Sequence, residues 1–315
     1  MLITNAGMFG AWPFVLGAPG PRPRRWVAVG ANPLYLSSAD TTPFGPAPVP
    51  VGSSTEDARE ANRAANAQIA GALGPATEHV GAVLASVGCT EPVTDLTDAM
   101  VTLPDAFAEL SVPELDFPRS DAPVSLNFVG LLPSPRTASW SEPPWWPDLD
   151  DGRPVVVVTQ GTIANRDLSQ LIEPTITALA DTGVLVVAAL GRPVDALSDL
   201  PDNLRVAEYV PFDLLLPRAD VLVTNGGFGS TQQALAAGTP VVVAGSSEDK
   251  APTAARVAFH GVGVSLATST PTPSQVRQAV EDVLGDDAIR ERARAMAEAY
   301  ARHDALDLIE NLATL

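Results

Sequence analysis

From Pro154 to Leu315 the chain alternates short, continuous apolar runs with segments of helical spacing. VVVVTQ (155–160) shows no polar alternation, the pattern of a strand buried on both faces. LSQLIEPTITALADTG (168–183) follows with a helical period and a terminal glycine, and Pro174 predicts a kink within it. Further strands are predicted at VLVVAAL (184–190), LRVAEYV (204–210), ADVLVTN (219–225), PVVVAG (240–245) and GVGVSLA (261–267). Helices are predicted at TQQALAAG (231–238) and APTAARVAFHG (251–261), and two terminal helices close the chain, with Thr272 or Ser274 as a cap. Such alternation implies a parallel sheet wrapped by helices on both faces.

The first part of the chain is less regular. MLIT (1–4), RWVAVG (25–30) and VSLNFVG (124–130) have strand character, AMVTLP (99–104) a weaker one, and 56–88 is helical with a break at Gly74-Pro75. Residues 134–153 are rich in proline and polar side chains, as a domain linker is, and Trp140, Trp145 and Trp146 are expected to pin it onto a domain face. The division is therefore an α/β domain over 1–133, a linker over 134–153 and a second α/β domain over 154–315.

Composition narrows the function classes. Over 315 residues the formal charge is -18, dispersed along the chain, and this excludes the basic stripe that nucleic acid requires. The lone Cys89 cannot form an internal disulfide, and no Cys/His cluster has zinc spacing, which suits a reducing cytoplasm. The first 21 residues carry no charge, but four glycines and three prolines interrupt them and the arginines come afterwards, so neither a signal peptide nor a membrane span is expected.

The chemistry concentrates in TNGGFGSTQQALAAGTPVVVAG (224–245). In an open parallel sheet, ligands sit beyond the carboxyl ends of the strands. Asn225 to Ser230 occupy that place, just before a helix N-terminus, where glycines let backbone N–H groups approach a ligand and the helix end adds partial positive charge. Ser230 offers a hydroxyl and Asn225 an amide, which together make a diphosphate cradle; the alternative is a tight turn needing positive φ. A second polar loop, TQGTIAN (159–165), converges on the same crevice. A nicotinamide cofactor is the competing ligand, since Glu248 stands where a ribose-binding acid would. The spacing fails, because Gln232 occupies the place of the third glycine.

The run YVPFDLLLPRADVLVTNGGFGSTQQALAAGTPVVVAGSSEDK (209–250) resembles the donor-nucleotide signature of the family 1 glycosyltransferases, as found in bacterial macrolide- and flavonoid-type enzymes. The resemblance extends through 113–133 and 145–162. It implies a GT-B fold of two Rossmann-like domains with parallel sheets, and an inverting, metal-independent transfer of sugar from a UDP- or dTDP-sugar to a hydroxyl of a small hydrophobic acceptor. No cofactor is implied beyond that co-substrate. By resemblance Tyr209 stacks on the base, and Val210 pairs with it through its backbone. Thr162, Gly226, Gly227, Gly229 and Ser230 hold the diphosphate. Asn225 replaces a histidine that donates to it, Gln233 replaces a ribose-binding glutamate, and Phe212 replaces a polar residue near the base. Asp249 and Lys250 occupy the Asp-Gln pair that grips the sugar hydroxyls.

The family's base is a histidine on an early loop, and none of His79, His260 and His303 matches it; Asn5 falls near the aspartate that orients that base. MLITNAGMFGAWPFVLGAPG resembles the middle of the family's N-terminal domain, which implies an incomplete domain with an open sheet edge, prone to self-association. The Asp148-Leu149-Asp150 triplet reads as a solvated turn rather than a metal site. Two other readings stand beside a transferase: a catalytically dead donor-binding partner, and a dehydrogenase.

Overall fold

The computed structural model describes residues 1–42, 56–134, 140–162, 165–193, 200–246 and 249–314. The chain divides into two compact units, Met1–Leu132 with His303–Leu315, and Pro133–Arg302. Among the described residues, no helix is long and apolar enough to cross a membrane.

The first unit is built on a four-stranded parallel sheet in the order β1 (Leu2–Asn5), β2 (Trp26–Gly30), β3 (Ala106–Glu109), β4 (Leu126–Phe128). Alternation sorts its side chains onto two faces. Trp26, Ala28 and Phe107 join Trp12 and Leu34 in one core, together with Leu96, Ala99 and Val101 of helix α3 (Leu96–Thr102). Val27, Ala106 and Ala108 face a second core that includes Ala305 and Ala313 of the last helix, α10 (Ala305–Thr314). Helices α1 (Glu56–Ala72) and α2 (Gly74–Ser86) meet at the predicted break.

Two expectations change here. AMVTLP is not a strand: Asp95 accepts hydrogen bonds from the amides of Thr97 and Asp98, and that cap starts α3. The strand comes just afterwards, at AFAE. The assignment of 154–315 to one domain also gives way, because residues from His303 onward belong to the first unit, where α10 covers β2 and β3. Three helices therefore follow the last strand, not two.

The second unit carries a six-stranded parallel sheet in the order β10-β9-β8-β5-β6-β7. Its strands are β5 (Val155–Thr159), β6 (Leu185–Ala189), β7 (Leu204–Ala207), β8 (Val221–Thr224), β9 (Val241–Val243) and β10 (Gly263–Ser265). Numbered within the unit and read from β7, the order is 3-2-1-4-5-6, the doubly wound topology whose switch point lies between β5 and β8. Val156, Val157 and Val158 are fully buried, as a central strand covered on both faces requires. The helices are α4 (Ile172–Leu179), α5 (Phe212–Leu215), α6 (Phe228–Ala236), α7 (Lys250–His260), α8 (Pro273–Gly285) and α9 (Asp287–Ala301). Pro174 produces no kink because α4 begins only at Ile172, which leaves the proline in the first turn where no intrahelical N–H is needed. Thr272 caps α8 in a reciprocal capping box with Gln275.

The described residues of the stretch expected to be a linker, Ser134 and 140–153, lie within the second unit. Trp146 is buried in its 3-10 turn, with Trp140 edge-on at 5.2 Å and the Arg218 guanidinium 5.6 Å from its ring centre. Asp148 pairs with Arg205 at 2.6 Å and Asp150 with Arg218 at 2.8 Å, so these carboxylates fasten the turn to the unit. Beside them, a hydrogen bond from Arg153 holds the Asp151 carboxyl below its ordinary range.

Candidate functional site

Three loops leave the carboxyl ends of β5, β6 and β8, the side of the sheet where a ligand crevice forms. Strand register sets two of them side by side: Thr159 of β5 stands opposite Thr224 of β8, so Gln160 and Asn225 are the first residues past the paired ladder. The Asn225 side-chain amide donates to the Gln160 carbonyl at 2.8 Å. The β5 and β6 loops are joined by Asn165, whose amide donates to the carbonyls of Leu190 (3.1 Å) and Gly191 (3.0 Å). Gly191 has φ +64, and a Cβ there would strike the Gly161 carbonyl, so the close approach of the two backbones depends on Gly191 lacking a side chain.

At the switch point the chain turns into α6. Gly226 takes φ +87 with Val243 packed behind it, and Gly227 is the N-cap. Three successive amides at this helix end rest on side-chain oxygens, each at 3.3 Å: Gly226 on Thr224 Oγ1, Gly227 on Asn225 Oδ1 and Phe228 on Asp249 Oδ2. These contacts lie past the preferred N–H···O range, so anionic oxygens can displace them. The Ser230 hydroxyl is engaged within the loop, 3.0 Å from the Gly227 carbonyl and 3.1 Å from Thr224 Oγ1. Gly229 is exposed. Lys250 opens α7 and packs against Gly245 and Gly226.

Beside this helix end lies a cavity of about 270 Å³, lined by Thr162, Tyr209, Val210 and Gln233 from the expected set and by Gly161, Gly191, Glu208 and Phe212 among others. Tyr209 is 54% exposed whereas Val210 is buried, which leaves the ring free to stack on a planar ligand. The Gln233 amide donates to the Gly229 carbonyl one turn earlier. The expected residues thus form two groups, Thr162, Tyr209, Val210 and Gln233 on the cavity and Asn225, Gly226, Gly227, Gly229, Ser230, Asp249 and Lys250 around the start of α6. Glu248, Ile163 and Ala164 lie outside the described residues. Gln232 points away from the crevice into the protein, where Tyr300 donates to its Oε1 at 2.8 Å.

Sequence reasoning passed over Gln160 and Asn165 as site residues, although both stand in the polar loop TQGTIAN. It also passed over Glu109, the only acid in the apolar run AFAELSV. In the first unit a cavity of about 140 Å³ opens at the ends of β1, β2 and β3, lined by Asn5, Gly30, Tyr35 and the buried Glu109, whose carboxylate occupies the space a Cβ on Gly30 would need. None of the three histidines lines either cavity.

Residues 174–314 match the family model of the erythromycin biosynthesis protein CIII-like C-terminal domain. The chain is 39% identical to UDP-glycosyltransferase 2 of Phaeomoniella chlamydospora, over 98% of this chain and 69% of that protein. It is 38% identical to 4'-demethylrebeccamycin synthase of Lentzea aerocolonigenes, over 99% of this chain and 73% of that one. Among solved structures, the glycotransferase of kitacinnamycin superposes with a TM-score of 0.72 at 23% identity, covering 99% of this chain and 76% of its own. Spinosyn rhamnosyltransferase SpnG complexed with thymidine diphosphate gives 0.66 at 21% identity, covering 99% and 72%. The fold is therefore GT-B, two sets of parallel strands in an α/β chain. The chain belongs to the family 1 glycosyltransferases, and it is a glycosyltransferase.

Proposed function

We propose that the second unit binds a nucleoside-diphosphate sugar, UDP- or dTDP-linked, and that the reaction transfers the sugar to a hydroxyl of a small hydrophobic acceptor. The observation that carries this reading is the row of three amides at the start of α6, set at the β5/β8 switch point beside a cavity with an exposed tyrosine. The nucleoside fills the cavity against Tyr209, the diphosphate takes the amides of Gly226, Gly227 and Phe228, and the sugar lies toward Asp249 and Lys250. The acceptor hydroxyl oxygen attacks the anomeric carbon as that carbon's bond to the β-phosphate oxygen breaks, so the configuration inverts, the nucleoside diphosphate leaves with the electron pair, and the hydroxyl gives up its proton to solvent. The helix end stabilises that charge, and the reading requires no metal or organic cofactor. The sugar-transferring relatives and the thymidine diphosphate complex of a structural neighbour support it.

The acceptor side falls to the first unit, with its crevice at Asn5 and Glu109. Self-association belongs to the same reading, because β1 pairs only with β2 among the described strands and exposes Ile3. Calorimetric titration with UDP, dTDP and their glucose conjugates tests the donor site, and binding of none of them overturns it. The position of the three histidines away from both cavities favours a second reading, donor binding without turnover. Sugar transfer to any acceptor by the purified chain excludes it.

A further inference from the structure

We infer that Asn225 is a positioning residue, which locks the nucleoside end and the diphosphate end of the crevice into one arrangement, and is not itself a diphosphate ligand. This rests on the donor-site reading above and deepens it.

Both ends of the Asn225 amide are occupied inside the protein. Nδ2 donates to the Gln160 carbonyl at 2.8 Å, and Oδ1 accepts from the Gly227 amide at 3.3 Å. The Nδ2 bond holds the β8 loop against the β5 loop, and the Oδ1 contact fixes the plane of the amide until a phosphate takes the Gly227 amide. The Gln160 carbonyl needs such a partner: the residue is 2% exposed and stands one place past the paired ladder. Gln160 is anchored in turn, since its side chain donates to the Asp167 carbonyl (2.9 Å) and accepts from the Ile172 amide (3.1 Å) at the start of α4. The next residues, Gly161 and Thr162, line the cavity, and Asn165 ties their loop to Gly191 on its other wall. One chain of bonds thus runs from the amide that receives a phosphate to the wall that receives the nucleoside. An asparagine fits this position because a single planar group must donate and accept at once.

A direct ligand and a positioning residue differ in what happens to a probe that has no phosphate. The probes are uridine, followed by saturation-transfer NMR, and UDP, followed by calorimetry, on the wild type, Asn225→Ala and Asn225→Asp. Asn225→Asp keeps the shape and the acceptor but loses the donor to Gln160, and the neutrality of uridine keeps the added charge out of that readout. Positioning predicts that both variants weaken uridine about tenfold, the worth of one hydrogen bond, and that Asn225→Ala weakens UDP by a similar factor. Asn165→Ala, at the far end of the chain of bonds, is expected to weaken uridine as well. If uridine binds Asn225→Asp and Asn225→Ala as it binds the wild type, the inference is overturned: a fall in UDP affinity alone makes Asn225 a phosphate ligand, and no change in either probe removes it from the site. Should one variant fail to fold, judged by its thermal transition, the other decides. Failure of the wild type to bind UDP overturns the donor-site reading instead.

Discussion

The backbone amide of Phe228, first residue of α6, donates to Asp249 Oδ2 across 3.3 Å, so a carboxylate lies at the positive end of the helix. On the proposed donor site, a sugar-nucleotide entering there would bring its own acceptors to Phe228 and free Asp249 for the sugar hydroxyls. Asp249→Ala is therefore expected to weaken UDP-glucose tenfold or more while UDP stays within about threefold of the wild type. Parallel calorimetric titrations make the comparison, and equal losses would move Asp249 off the sugar.

Adjacent glycines predict opposite phenotypes. At Gly226 φ is +87 and a Cβ would stand 2.7 Å from Val243 Cγ1, so Gly226→Ala is expected to cost about 1–3 kcal/mol of stability. Gly227 has φ -56, and its nearest neighbour to a Cβ is Ser230 Oγ at 3.6 Å, so the fold tolerates a side chain there. Gly227→Val is expected to keep its urea midpoint and lose UDP binding. A variant that binds UDP normally would show that the diphosphate lies elsewhere.

Trp146 holds the strap across the second unit. Its truncation leaves a cavity under Trp140 and Arg218, and Trp146→Ala is expected to cost about 3–5 kcal/mol. Urea unfolding followed by circular dichroism reads this directly. A loss below about 1 kcal/mol, the scale of a surface change, would mean that the strap is ornamental to stability.

Asp40 gives the first unit an acid-sensitive contact. Hydrogen bonds from Ser120, and then the charge of Arg59 at 3.1 Å, hold its carboxyl below the ordinary 3.8. A depressed folded-state value contributes stability that is full above 3.8 and is lost as pH falls through the lower value. The stability gap between the wild type and Asp40→Asn should therefore be widest near neutrality and close on the acid side of 3.8. A gap that stays constant down to the acid limit contradicts this sign.

Much of the second unit was legible because burial on both faces leaves a plain mark: Val155 to Val158 has no polar position at all. The glycine loop was legible as chemistry for the same local reason, since its residues are contiguous. The partnership of Asn225 with Gln160 was not, because it depends on β5 and β8 becoming neighbours across the intervening β6 and β7. In the first unit, Val101 and Thr102 favour a strand on propensity, but the Asp95 cap, which accepts from the amides of Thr97 and Asp98, favours a helix. Strand β3, Ala-Phe-Ala-Glu, is poor in β-formers and ends in an acid, so only its neighbours on the sheet define it. That helices close the chain was visible, but not that the last of them covers β2 and β3.

That last helix has a consequence for biosynthesis. The face of β2 and β3 that carries Val27, Ala106 and Ala108 is closed by Ala305 and Ala313, residues that a ribosome adds after the whole second unit. Domains emerging from a ribosome ordinarily fold in the order of synthesis. Here the first unit keeps an apolar face open until residues 305–313 have been made, while the second unit is complete at Arg302. A stop codon within α10 would thus spare the second unit and leave the first as a client for chaperones.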